Sequence, residues 1–168
     1  MNHTTLELRG DREIVIGRTF NGPPHIVFDA WTRPELVERW WAPTSRGVAV
    51  IACTADVRTG GSYRYHLRHA RGEFAFNGKY LEVTPPVKLV YTQVYEPTAS
   101  GTMPEDVPVT ITVTFTERAG RTHVESHMHC PTAEVRDAII ASGMESGMRE
   151  TMDLLDSLIE SLASAQQR

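Results

Sequence analysis

The sequence predicts an α+β domain in which an antiparallel sheet packs against one long C-terminal helix. Residues 132–162 carry apolar side chains at steps of three and four, which places them on one stripe of a helix. Between residues 48 and 130 the apolar period changes to two, and turn signals separate the alternating segments. The opposite face of the helix is charged, so its apolar stripe needs a partner surface. The strand-rich part of the chain is the candidate for that surface.

Before the strands, two short helices are expected. Residues 1–12 are predicted to form a flexible arm, and residues 13–20 form the first strand. Residues 25–31 then show helical spacing. Thr32, Pro34 and Glu35 combine a capping residue, an early proline and a later glutamate, which predicts a second helix starting at Thr32. This helix should end near residue 41, because Pro43 blocks its continuation.

Six further strands form a meander before the long helix. Apolar and charged residues alternate clearly in the second of these strands, so Tyr63, Tyr65 and Leu67 lie on one face and their charged neighbours on the other. The strands are predicted at residues 48–57, 62–69, 74–80, 88–95, 109–116 and 122–130. We predict a single domain over residues 13–163 followed by a short tail over 164–168. The long connection at residues 96–108 is predicted to act as a lid.

Composition excludes several classes of partner. The formal net charge is −4, with 17 basic and 21 acidic residues, so no nucleic-acid partner is expected. No apolar run approaches the ~20 residues of a membrane span, and the N-terminus lacks the layout of a signal peptide. Cys53 and Cys130 are isolated in apolar surroundings, which predicts a reduced, cytoplasmic chain. No cofactor motif is present, and we expect no cofactor.

Several motifs carry a family resemblance across residues 13–162. They are Val-Phe-Asp-Ala-Trp-Thr at 27–32 with Pro-Glu-Leu at 34–36, Trp-Trp-Ala-Pro at 40–43, and the segments 56–63, 78–83 and 85–92. Gly143, Gly147, Leu154 and Leu155 complete the pattern. In their order and spacing these motifs resemble the START-like helix-grip (SRPBCC) superfamily, in the branch named after the C-terminal domain of the heat-shock-protein-90 ATPase activator. Met148 stands where many relatives have tryptophan.

The resemblance implies a strongly curved antiparallel sheet that grips the C-terminal helix and leaves an internal cavity. It implies binding of a small hydrophobic or aromatic ligand in that cavity. Two alternatives stay open: an enzyme of the polyketide cyclase, dehydratase or hydrolase type, and a chaperone-regulating interaction module. A homodimer is also compatible with the resemblance. Because one fold can host different activities, the function has to be inferred from the residues of the site.

Aromatic and apolar residues on the predicted inner surfaces are the candidate ligand contacts. Alternation and helical spacing select Trp31, Trp40, Trp41, Tyr63, Tyr65, Phe74, Phe76, Tyr91, Val113, Phe115, Met128, Met144, Gly147 and Met148. The alternative interpretation is that these side chains simply fill a core. Asp56 and Arg58 share one strand face and could orient a polar ligand, or brace the turn at Gly60 and Gly61.

Polar groups that could support metal binding or catalysis are few. Glu125 and three histidines, His123, His127 and His129, share one strand parity, so two of them could grip a metal ion. The opposite parity of that strand is the better core set, which puts the histidines on the outer face, and we predict no metal site. His66, Glu73, Gln93 and Tyr65 are conceivable acids, bases or orienting groups. No nucleophile elbow, phosphate loop or zinc-protease motif occurs, so catalysis is permitted but not indicated.

Overall fold

The computed structural model describes residues 3–97 and 108–166. These residues form eight strands, four helices and one 3₁₀ turn at Thr44–Arg46. The strands are β1 (Thr5–Arg9), β2 (Glu13–Phe20), β3 (Ala49–Ala55), β4 (Ser62–His69), β5 (Gly72–Thr84), β6 (Lys88–Glu96), β7 (Val109–Arg118) and β8 (Arg121–His129). The helices are α1 (Pro24–Thr32), α2 (Pro34–Val37), α3 (Ala133–Ala141) and α4 (Met144–Gln166).

The eight strands form one open antiparallel sheet in the order β1-β2-β8-β7-β6-β5-β4-β3. The pairing register between β3 and β4 shifts between Val50 and Ala52, and the register between β5 and β6 shifts between Tyr80 and Glu82. Such shifts bend a strand and increase its twist, which curves the sheet around the helices. The predicted α+β fold, with a curved antiparallel sheet and a C-terminal helix, is therefore confirmed.

The core lies between the inner face of the sheet and α4. In α4 the predicted stripe is buried at Thr151, Leu155, Leu158 and Ile159. Its apolar residues belong to the same core cluster as inward-facing strand residues that are almost fully buried: Phe20, Leu89, Val113, Phe115 and Val124. The register that pairs β8 with β2 and β7 aligns these inner residues across three strands.

The N-terminal segment differs from the expected loose arm. Thr5–Arg9 forms the edge strand β1, which pairs with β2 from Thr5↔Gly17 to Arg9↔Glu13. The Thr5 hydroxyl also donates to the carbonyl oxygen of Gly17. Backbone pairing along the edge of the sheet therefore gives this segment its structure.

The predicted long helix is two helices. Gly143 has a φ of +80°, a left-handed conformation that ends α3 before α4 begins at Met144. The capping-box prediction at Thr32 is also wrong. Thr32 is the last residue of α1, and its hydroxyl donates to the carbonyl oxygen of Phe28, so α2 begins at Pro34 with no side-chain cap.

The predicted lid, residues 96–108, lies mostly outside the described residues. Among the helices that the structure does describe, none is long and apolar enough to cross a bilayer.

Candidate ligand-binding cleft

A cleft of about 640 Å³ opens between α3 and the inner face of β5 to β8. The strands contribute Phe74, Phe76, Gln93, Tyr95, Val109 and Met128. The helical side contributes Val135, Ala138, Ile139, Ser142 and Met144. Aromatic and aliphatic side chains therefore form most of the lining, as is usual for sites that bind small molecules.

The cleft stays open because α3 stands off the sheet. All nine residues of α3 are described, and none of them is fully buried. The helix is held at its start, where the Thr132 hydroxyl caps the Val135 amide and Arg136 donates to the carbonyl oxygen of Gly10. Its apolar side chains, Val135 and Ile139, face the space above the strands.

The interior next to the cleft is filled by aromatic side chains. A residual space of about 10 Å³ is enclosed by Trp31, Trp41, Tyr63, Tyr65, Tyr80, Leu89, Tyr91 and Gln93. The ring centroids of Trp41 and Tyr65 are 5.0 Å apart, and those of Tyr63 and Tyr65 are 4.9 Å apart. A space of this size holds one water at most. The resemblance predicts a cavity in this region, and the structure shows packed rings instead.

The hydroxyl groups of this aromatic interior are satisfied internally. The Tyr63 hydroxyl donates to the carbonyl oxygen of Thr92 at 2.7 Å. Burial raises the pKa of Tyr80 to about 12, although a hydrogen bond with Tyr65 acts in the opposite direction and lowers this pKa. Burial likewise raises the pKa of Tyr65 and of Tyr91. These phenols are therefore neutral packing groups at physiological pH.

The sequence-predicted ligand contacts fall into three places. Phe74, Phe76, Met128 and Met144 line the open cleft. Trp31, Trp41, Tyr63, Tyr65 and Tyr91 belong to the filled interior. The remaining five are packed elsewhere: Trp40, Val113 and Phe115 are buried in the core, Met148 packs against that core, and Gly147 lies against Pro43.

The similarity to known proteins agrees with this architecture. The family model described as Activator of Hsp90 ATPase homolog 1-like protein matches residues 21–160. The chain belongs to this family. A comparison with curated proteins found no match.

Solved structures support the same fold for this member of the Activator of Hsp90 ATPase homolog 1-like family. A Rhodobacter sphaeroides protein is similar with a TM-score of 0.82 at 23% identity, covering 95% of this chain and 99% of that one. A Staphylococcus epidermidis protein has a TM-score of 0.74 at 29% identity, covering 94% of each chain. An AHSA1-like protein from Aeromonas hydrophila has a TM-score of 0.67 at 20% identity, covering 89% and 93%.

The polar pair Asp56 and Arg58 does not reach the cleft of this family member. The two side chains are exposed and form an ion pair with each other at 2.8 Å. The same turn is closed by a hydrogen bond from the Gly61 amide to the carbonyl oxygen of Arg58. Their position fits the turn-bracing interpretation better than the ligand-orienting one.

The histidine and glutamate side chains considered as metal ligands, acids or bases do not line the cleft, whereas Gln93 does. His127 Nε2 is 2.8 Å from Glu125 Oε1 on the outer parity of β8, and this contact lowers the pKa of Glu125. His66 Nε2 lies 2.9 Å from Glu73 Oε1 without hydrogen-bond alignment. Among the described residues, no group of three or more His, Cys, Asp or Glu side chains is placed to hold a metal ion.

Sequence reasoning missed the helical wall of the cleft. Val135, Ile139 and Ser142 follow a spacing of four and three residues, which is a helical stripe that could have been noticed. Gln93 was considered only as a possible catalytic group, although it shares the inner parity of β6 with Tyr91. Tyr95 and Val109 share the inner parity of their strands, but the alternation alone does not distinguish a residue that lines the cleft from one that fills the core.

Proposed function

We propose that the protein binds a small apolar or aromatic molecule in the cleft between α3 and the sheet. The observation that carries this proposal is a cleft of about 640 Å³ whose described lining residues carry no charge, next to an interior that is filled by its own side chains. That volume lies in the usual range for small-molecule sites. The family supports the proposal, because this fold commonly binds hydrophobic ligands.

The driving force is removal of apolar surface from water. Each 100 Å² of apolar area that ligand and lining bury together contributes about 2.5 kcal/mol. Phe74, Phe76 and Tyr95 supply ring surfaces in contact with one another, with the Phe76 and Tyr95 centroids 5.2 Å apart. Rings in this arrangement favour a flat ligand that can stack or meet them edge to face.

The chemistry of the lining favours binding over catalysis. Among the described lining residues there is no carboxylate, imidazole or thiol. The cyclase or hydrolase alternative needs an acid or base beside the ligand, and the candidates His66 and Glu73 are paired on the outer face. The chaperone-regulating alternative gains no support from any contact described above. Homodimerisation and a cytoplasmic location stay predictions from the sequence.

Titration with N-phenyl-1-naphthylamine, an uncharged probe that fluoresces in apolar surroundings, tests the proposal. We expect a saturable fluorescence increase for the wild-type protein. Ala138→Trp should abolish it, because Ala138 lines the cleft and a larger ring there occupies the space. The core should tolerate this change, since α3 buries none of its described side chains fully.

Ala165→Trp is the matched control, because it places the same ring at an exposed position near the end of α4. This variant should bind the probe like the wild type. Absence of saturable binding to the wild type, or equal binding by Ala138→Trp, would refute the proposal. Circular dichroism of both variants checks that each is folded.

A further inference from the structure

We propose that Gln93 orients the ligand, and that the cleft therefore selects an uncharged aromatic molecule carrying one hydrogen-bonding group, such as a phenol or an aryl ketone. This inference rests on the binding function proposed above and adds the chemical class of the ligand. Three observations carry it: the place of Gln93, the lack of a hydrogen-bond partner for its carboxamide, and the absence of charged side chains among the described lining residues.

Gln93 lies where the open cleft meets the filled interior. On β6 it shares the inner parity with Tyr91, and its backbone is opposite Val109 of β7. Its side chain borders both the cleft under α3 and the 10 Å³ space among the tyrosines. A flat molecule that enters from the solvent side therefore meets the carboxamide at the inner end of the cleft.

The Gln93 carboxamide is the polar lining group that lacks a partner. In the described parts of the chain it makes no hydrogen bond, although the residue is half-buried. The Ser142 hydroxyl donates to the carbonyl oxygen of Ile139 in its own helix. Tyr95 is 50% exposed, so water can hydrate it. Water in the open cleft can hydrate this half-buried amide, and a ligand that displaces the water keeps its affinity only if it replaces those hydrogen bonds, which favours a ligand with one hydrogen-bonding group.

An amide offers a carbonyl oxygen as acceptor and an NH₂ group as donor. It can therefore accept from a phenolic hydroxyl or donate to a ketone oxygen. It cannot compensate a full charge in apolar surroundings, and the described lining contains no Lys, Arg, His, Asp or Glu. A carboxylate or ammonium group on the ligand would thus be penalised at this end of the cleft.

The aromatic side chains on the strand side of the cleft favour a particular shape for the part of the ligand that does not contact Gln93. Phe74 and Phe76 meet edge to face with centroids 6.0 Å apart, and Tyr95 packs against both. A planar aromatic body fits such a wall better than a flexible chain, because it loses less conformational freedom on binding.

Calorimetry with naphthalene, 2-naphthol and 2-naphthoate tests the inference, because the three probes share a ring system and differ in one substituent. The wild-type protein should bind 2-naphthol about tenfold more tightly than naphthalene, and 2-naphthoate more weakly than 2-naphthol. Gln93→Met keeps the length of the side chain and removes both hydrogen-bonding groups. It should bring the ratio of 2-naphthol affinity to naphthalene affinity close to one.

Tyr95→Phe is the comparison variant, since it removes the solvent-exposed hydroxyl of the lining, keeps the ring and should preserve the tenfold ratio. If both probes bind but Gln93→Met keeps the wild-type ratio, the role of Gln93 is refuted and the binding function stands. If neither probe binds the wild type, both proposals fail. Should Gln93→Met not fold, the ranking of the three probes on the wild type still decides, because tighter binding of 2-naphthoate than of 2-naphthol would overturn the inference.

Discussion

The Arg18 guanidinium donates to the Asp153 carboxylate at 2.7 Å and so connects β2 to α4 at the inner face of the sheet. Arg18 is 6% exposed, whereas Asp153 is 73% exposed. A second carboxylate, Asp156, lies 3.2 Å from the same guanidinium. A buried cation is therefore compensated from one helix, and the position of α4 on the sheet depends partly on this contact.

Removing both carboxylates should destabilise the protein strongly. Asp153→Asn combined with Asp156→Asn leaves the Arg18 charge buried without compensation, which we expect to cost about 2–4 kcal/mol in the free energy of unfolding. Arg18→Met removes the charge itself and should cost less. Urea unfolding measures both, with Glu7→Gln as the control, because its ion pair with Arg9 is exposed and its loss should leave stability almost unchanged. Equal losses for Arg18→Met and the double variant would contradict this explanation.

The two glycines near the start of α4 should respond to alanine with opposite signs. Gly143 has a φ of +80° and nothing within 4 Å of an added Cβ, so Gly143→Ala costs only the left-handed backbone penalty of about 1–2 kcal/mol. Gly147 is helical, and an added Cβ would lie 3.8 Å from Pro43 Cγ, an ordinary contact. Gly147→Ala should therefore stabilise by about 0.5–1 kcal/mol. Thermal unfolding of the pair tests this, and a shift of the same sign in both would argue against it.

Glu96 should contribute stability that disappears in acid. It is buried and accepts hydrogen bonds from Arg64 and Asn77, and the Arg64 hydrogen bond in particular lowers its pKa below the ordinary value of 4.5. Because the pKa of Glu96 is lower in the folded than in the unfolded state, its ionised form stabilises the folded protein at pH values above the unfolded-state pKa. This stabilisation is lost as the pH falls through the folded-state pKa.

Glu96→Gln should thus be less stable than the wild type at pH 7, and the difference should shrink as the pH is lowered to about 3. Chemical unfolding across this pH range measures the difference. Glu117→Gln, at an exposed position in β7, reports the effect of removing a carboxylate at the surface. A difference between Glu96→Gln and wild type that is constant with pH would rule out the linkage.

Both thiols should be unreactive in the folded protein. Burial raises the pKa of Cys53 to about 12, and burial also raises the pKa of Cys130, which is fully enclosed. Since the thiolate is the reactive form, we expect reaction with a chromogenic disulfide reagent at pH 8 to be more than about 100-fold slower than after unfolding in urea. Rapid labelling of the folded chain would show that the thiols are more accessible than the structure indicates.

The strands could be predicted from the sequence because their residues alternate. β2 and β4 have the predicted bounds, and the four outward threonines of β7 made its parity unambiguous. β1 was missed because five residues with interleaved charges gain their structure only from pairing with β2. The break at Gly143 was missed because two glycines four residues apart look alike in sequence, and only the backbone angle separates them.

Part of the cleft lining could be predicted from the sequence. Strand parity correctly brought Phe74, Phe76 and Met128 to one surface. It could not tell that Trp41 and Tyr65 would meet at 5.0 Å and close the interior, because ring contacts across separate elements depend on three-dimensional packing. The same limit applies to the contact between Asp153 and Arg18: Asp153 lies on the charged, solvated face of the helix, and nothing in the sequence pairs it with a residue of β2.

The way α3 is held has a consequence for the size range of ligands. Its ends are fixed by the Thr132 cap and by the turn at Gly143, while its middle buries no side chain fully among its described residues. A small outward tilt of α3 about these ends keeps the hydrogen bonds within the helix and exposes mainly the partly buried Val135 and Ile139, so it costs far less than unfolding the domain. If the cleft binds the ligand proposed above, we therefore expect it to accept molecules of different size through movement of α3 rather than of the sheet.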